Sequence, residues 1–205
     1  MICTEKIYDL LERGLGQMIE TEIIFQFQSL HRMELEILAL HPSVEPTDTL
    51  KPVFKTHGNI EILPEVLFRS KPIININSND AYITFHVNST LKLLSLHLNT
   101  HGNFVSVEIL ADDNQHKIRK LILTNKKSKI IINDKECTIP IKIGASWQYL
   151  SVDMKNVMKR AFGVDFNRCL EITIRGGCMV KSCYLHKEDR ADVTLPTYLQ
   201  VFEHV

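Results

Sequence analysis

The chain is short of several things, and each shortage excludes something. It has no apolar run near the ~18 residues that a membrane span needs and no net charge, and its 205 residues include one tryptophan and five cysteines. Five scattered cysteines (Cys3, Cys137, Cys169, Cys178, Cys183) are odd in number and do not read as a disulfide framework. Met1–Gly14 carries Glu5, Lys6, Asp9, Glu12 and Arg13 and no apolar core, so no secretory signal is expected. The protein is then expected in the cytoplasm or a compartment continuous with it, with reduced, mostly buried thiols and an unused Asn88-Ser89-Thr90 acceptor.

Catalytic signatures are missing too. There is no Gly-x-Ser-x-Gly, no phosphate-cradling glycine loop and no carboxylate pair that stands out on a strand. Gly14-x-Gly16 lacks a third glycine and follows a helical pattern rather than a strand. Among metal-like spacings, Cys178-x4-Cys183-x2-His186 puts its cysteines an odd number apart, which on a regular strand means opposite faces. His97-x3-His101 falls on a strand end and a Gly-Asn turn. No enzyme, cofactor or metal site is expected.

What is present is a globular composition, 44% apolar and 23% charged, with its charge unevenly spread. Residues 1–50 hold nine acids against three bases, and residues 114–190 hold sixteen bases against seven acids. A basic half points to an acidic partner surface. Thr4–Leu15 has helical spacing, Glu22–Leu40 fits either strand or helix, and Pro42, Pro46 and Pro52 mark a linker. Residues 1–52 are therefore read as a partly helical extension with linker, and residues 53–205 as the main domain.

From Phe54 the pattern becomes short runs of period two. Strands are expected at Ile60–Leu63, Ile73–Asn77, Tyr82–Val87, Leu91–Leu98, Phe104–Leu110, Lys117–Leu123, Ile130–Ile132, Cys137–Ile143, Trp147–Val152, Cys169–Arg175, Cys178–Leu185 and Tyr198–Phe202. This predicts a mainly β, antiparallel sandwich or jelly-roll-like domain. Gly176-Gly177 predicts a two-residue hairpin with φ > 0 at both positions, and Pro140 an edge or bulged position. Met154, Val157, Met158, Ala161 and Phe162 form one helical stripe, with Asp153 as N-cap and Gly163 as stop. Trp147 is expected to be buried against that stripe as a core anchor, with Cys178 as another structural residue.

Lys117, Arg119 and Lys120 on one strand, Lys126, Lys127 and Lys129 on the loop after it, and Lys159 and Arg160 on the helix make a basic constellation. Lys117–Lys135 contains no aromatic residue for base stacking, which favours a protein partner over nucleic acid.

Several of these motifs stand in a familiar order: Tyr82-Ile83-Thr84, Cys137-Thr138-Ile139-Pro140-Ile141, Trp147, Lys159-Arg160-Ala161-Phe162-Gly163, Cys178, Tyr184 and Leu195-Pro196. Together they resemble the cilia- and flagella-associated protein 20 family, best over Tyr82–Phe202. The chain departs from the family pattern in having Ser146 where glycine usually precedes the tryptophan, and residues 1–50 have no counterpart, so it resembles a divergent member. The resemblance implies a non-enzymatic structural protein of the ciliary or flagellar axoneme. It would bind α/β-tubulin at the inner junction of doublet microtubules and bridge A- and B-tubule, beside other inner-junction and microtubule inner proteins. The basic constellation would then face tubulin, whose surface is acidic. The alternative is a cytosolic or nuclear β-sandwich module binding carbohydrate or nucleic acid.

Overall fold

The computed structural model describes residues 35–39, 54–64 and 72–188. All of these belong to the compact unit Leu35–Val205. The expected helix at Thr4–Leu15, the proline linker and the strand at Tyr198–Phe202 lie outside the described residues.

The described elements are β1 (Leu35–Ala39), β2 (Phe54–His57), β3 (Ile60–Pro64), β4 (Pro72–Ile76), β5 (Tyr82–Ser89), β6 (Leu93–Asn99), β7 (Val105–Asp113), β8 (Ile118–Thr124), β9 (Ile131–Ile132), β10 (Glu136–Pro140), β11 (Trp147–Asp153), the helix α1 (Met154–Phe162), β12 (Phe166–Gly176) and β13 (Cys178–His186). One sheet runs β11-β6-β13-β4-β3, with β1 joining β13 beyond β4. The other runs β2-β5-β12-β7-β8-β10-β9. All pairings are antiparallel except β8 with β10. The sandwich architecture is thus as the alternation predicts, with one parallel seam. β1 and β2 are additions to the expected strands, and β1 lies inside the stretch read as extension.

The core between the sheets follows from period two. Leu94, Leu96 and Leu98 of β6 face Val105, Val107 and Ile109 of β7 and Ile172 and Ile174 of β12 in one buried cluster. The helix closes it from the side. Asp153 caps the helix by accepting from Asn156 N at 2.9 Å, Gly163 ends it at φ 72°, and Met154 and Met158 are sealed in the core. Val157, Ala161 and Phe162 pack partly buried against the same cluster. Pro140 pairs with Thr124 of β8 where β9 has already ended, so its missing N–H faces no strand on the other side.

Three expectations change. Gly176-Gly177 is not a hairpin: β12 and β13 lie in different sheets, so the pair is a corner that carries the chain across the sandwich. Only Gly176 has positive φ, at 108°, and a Cβ there would sit 2.2 Å from the Phe104 carbonyl oxygen. Cys178 and Cys183 do not point to opposite faces. A bulge between Val180 and Ser182 resets the alternation, so Cys178, Val180, Cys183 and Leu185 all face the core. Trp147 is not packed on the helix stripe. It shares parity with Tyr149 and Ser151 on the outer face, whereas Val152 points into the core, and its ring lies tilted over His97 at 5.0 Å.

Burial pushes the Cys137 thiol up, the Cys178 thiol up to about 12, and the Cys183 thiol further, with Cys169 adding to the last. Near neutral pH Cys178 is then held as the thiol rather than as thiolate, the reactive form. Iodoacetamide on the native protein is expected to leave Cys137, Cys169, Cys178 and Cys183 unmodified by mass spectrometry. Labelling of Cys183 without unfolding would place it outside the core. At the corner, Gly176→Ala is expected to cost about 3 kcal/mol or more, from left-handed strain and backbone overlap together. That is roughly 6–12 °C in melting temperature. Gly177→Ala should cost under about 1 kcal/mol, because its Cβ meets only the movable Asn103 side chain at 3.0 Å. Equal melting curves for the two variants would contradict the corner.

Candidate partner-binding surface

The turn from β7 to β8 is built around a carboxylate. Asp113 is buried, and its oxygens accept from Gln115 N at 2.8 Å, Lys117 N at 2.9 Å, Arg119 Nε at 3.0 Å and Arg119 Nη2 at 2.9 Å. Burial alone would raise its pKa. The donors from Lys117, Arg119 and Gln115 outweigh it and hold the carboxyl below its ordinary value. The remaining Arg119 nitrogen donates to the Asp134 carbonyl, and the guanidinium lies 5.2 Å over the Phe162 ring. With its side chain 13% exposed, Arg119 is an internal brace between turn, loop and helix.

Other members of the constellation are also engaged. Lys120 pairs with Glu108 at 2.6 Å, and Arg175 approaches the same carboxylate at 3.7 Å. Arg168 pairs with Asp112 at 3.0 Å. Glu108, Asp112 and Asp113 stand just ahead of the basic stretch, so counting from residue 114 leaves out the acids that neutralise it. Lys159 meets Asp165 at 3.1 Å, both in solvent, where an ion pair contributes little.

Lys117, Lys126, Lys127, Lys129 and Arg160 remain exposed and form no ion pair among the described residues. They are not one patch. Lys117 precedes β8 and the three loop lysines follow it, a separation of roughly 20 Å along seven residues. Of the loop lysines, Lys126 stands beside Phe104, 54% exposed, with its ammonium 5.7 Å over the ring. Asn125 ties the two loops together, accepting from Val105 N and donating to Asn103 O, each at 2.9 Å. Phe104 is the aromatic that Lys117–Lys135 lacks, but a lysine already covers it.

Beyond the lysines the chain exposes isoleucine. Ile130, Ile131 and Ile132 are 62%, 50% and 50% exposed, and Ile118 is 58% exposed. Strand pattern alone marked Ile130–Ile132 as an ordinary strand. Its exposure follows from its place at the end of the seven-stranded sheet.

Two other constellations look chemical at first sight. His57 and Arg175 flank Tyr82 from the two neighbouring strands, with ring centroids 5.1 Å apart for the first and the guanidinium 4.4 Å from the centroid for the second. Both faces of Tyr82 are therefore taken, which argues against a sugar-stacking platform there. Ser95 Oγ lies 2.7 Å from His186 Nε2, and His186 Nδ1 donates to the Glu188 carbonyl at 2.6 Å. The dyad resembles an activated serine, but Ser95 sits mid-strand with no exposed surface and also accepts from the Tyr149 hydroxyl at 2.7 Å. A substrate carbonyl has no approach to it. Among the described residues no group of three or more His, Cys, Asp or Glu is placed to hold a metal.

A family model described as the CFA20 domain matches residues 69–203. "Cilia- and flagella-associated protein 20" of Chlamydomonas reinhardtii is 21% identical over 155 residues, covering 72% of this chain and 82% of that protein. The protein of the same name in Caenorhabditis elegans is 24% identical over 104 residues, covering 49% of this chain and 51% of its own length, so the chain spans only about half of that relative. Among solved structures, a family 11 carbohydrate-binding module from Clostridium thermocellum covers 78% of this chain and 99% of its own length at 8% identity, with a TM-score of 0.41.

Arg119→Ala is expected to destabilise the domain by about 3–5 kcal/mol, because it leaves the Asp113 carboxylate buried without its cation. The sign with pH follows from the depressed carboxyl. Its contribution is present above the unfolded pKa of about 3.9 and is lost as pH falls through the lower folded value. Denaturant melts across pH 2–7 check this (range set by the carboxylate values). An Arg119→Ala protein as stable as wild type at neutral pH would return Arg119 to the surface.

Proposed function

This chain belongs to the CFA20-domain family, and from that premise we propose that it is a cilium- and flagellum-associated structural protein without catalytic activity. Its place is the inner junction of doublet microtubules, where it bridges A- and B-tubule by binding α/β-tubulin beside other inner-junction proteins. The observation that carries the reading is the loop after β8. Lys126, Lys127 and Lys129 are exposed cations with no ion pair among the described residues, whereas Arg119, Lys120 and Arg168 are each held by an acid of the domain itself.

Modest affinity per copy is enough in this setting. Contacts repeated along a lattice add avidity, and a head-to-tail arrangement extends into an open row rather than a closed ring. Loop lysines suit such a contact because they contribute little to folding. Their charge acts over a Debye length of about 10 Å at 0.1 M salt.

Reversing Lys126, Lys127 and Lys129 to glutamate is expected to weaken co-sedimentation with microtubules by about tenfold or more, equivalent to 1.4 kcal/mol. The melting temperature should stay unchanged, and wild-type binding should weaken as salt rises. Co-sedimentation equal to wild type at physiological salt would overturn the loop's role. A tagged copy in a ciliated cell should mark the axoneme along its length, and a diffuse or nuclear signal would count against the reading as a whole.

A further inference from the structure

We propose that the open edge of β9 docks an acidic, extended polypeptide segment, which adds to the seven-stranded sheet as a further strand. β9 pairs with β10 through Cys137↔Ile132 and Thr138↔Ile131, and no described strand lies on its other side. Natural sheet edges are usually blunted by charge, proline or a covering loop. This one carries three successive β-branched residues, the side chains best suited to a pleated surface.

The edge offers contact on both faces. Ile131 is in register with Thr138 on the outer face, and Ile132 with the buried Cys137 on the inner one. On the inner side Ile132 continues into an open groove of about 1100 Å³, where Ala161 and Phe162 supply apolar wall and Lys117 and Lys135 stand on the rim. An incoming strand could therefore place alternate side chains on Ile131 and in this groove, with backbone hydrogen bonds supplying affinity.

Charge selects the occupant. Lys126, Lys127 and Lys129 precede the isoleucines and Lys135 follows them, four cations against the two acids Asp134 and Glu136 that line the groove. Self-pairing of two such edges would bring lysine clusters together, which disfavours a second copy as the occupant. A nucleic acid strand would want free rings, and Phe162 in the groove has Arg119 over its face while Phe104 has Lys126 over its own. A segment alternating acidic and apolar residues fits both the isoleucines and the lysines. This inference goes beyond the tubulin reading, because its partner is an extended chain rather than a folded lattice.

The test uses the full chain and fluorescence anisotropy at physiological salt, with a capped peptide of about ten residues alternating glutamate and valine, long enough for a strand. The alternating peptide is expected to bind about tenfold or more tightly than oligoglutamate of equal length, or than its own backbone-N-methylated form. Ile131→Lys is expected to lose about tenfold although it adds a positive charge. Ile130→Lys, outside the paired residues, gives the same reading should the first variant not fold. Equal binding of oligoglutamate would reduce the site to charge alone, equal binding of the methylated peptide would remove the added strand, and no binding would remove both. Self-association of wild type that Ile131→Lys abolishes, or single-stranded DNA displacing the peptide, would overturn the occupant. Microtubule co-sedimentation is read separately. Its loss in the lysine variant with peptide binding lost in Ile131→Lys supports both readings, and intact co-sedimentation with that same peptide loss sinks only the tubulin reading.

Discussion

Two adjacent glycines hold the two sheets in register. β12 is paired on both sides in one sheet and β13 on both sides in the other; Gly176 ends the first and only Gly177 separates them. Nothing with a side chain can take the first position, since the Phe104 carbonyl already occupies the space a Cβ would need. The tightness of this corner fixes where β13 begins. The bulge before Ser182 then decides which of its residues fill the core.

Electrostatics divides along the same lines. Four cations near β7 have an acid in reach: Arg119 has Asp113, Arg168 has Asp112, and Lys120 and Arg175 share Glu108. All three acids lie on β7. That strand therefore carries apolar residues into the core and an acidic spine for its neighbours. Part of the charge left over sits at opposite ends of β8, with Lys117 before it and Lys126, Lys127 and Lys129 after it, the latter preceding the bare isoleucines in the chain.

Alternation and capping made much of the fold legible. The strands from β3 to β8, together with β12 and β13, follow from apolar and polar residues in turn, and α1 follows from its stripe and from Asp153 and Gly163. What period two cannot reveal is which sheet the next strand joins. Gly-Gly announces a sharp reversal, but a hairpin and an inter-sheet corner carry the same signal. A single bulge inverts every facing residue after it, so Cys183 could not be placed from spacing. Trp147 went astray because both faces of its strand are apolar enough to pass for core. Arg119 read as a surface cation because its partner sits six residues earlier, across a turn whose geometry no pattern specifies. Phe104 and the lysine loop meet only because β7 and β8 are neighbours.

The strand order also bears on how the protein is made. β12 and β13, each paired on both sides within its own sheet, come after every other described element. During synthesis β5, β6 and β7 leave the ribosome well before β12 and β13, which must lie beside them, at rates of roughly 5–20 residues per second. For several seconds the nascent chain presents unpaired edges and leucine-rich faces that only its later portion can cover. Folding is closed from the C-terminal side, through contacts of long sequence separation, which makes it slow and exposes it to aggregation. A cell making this protein would then depend on chaperones holding the early strands until the corner is complete.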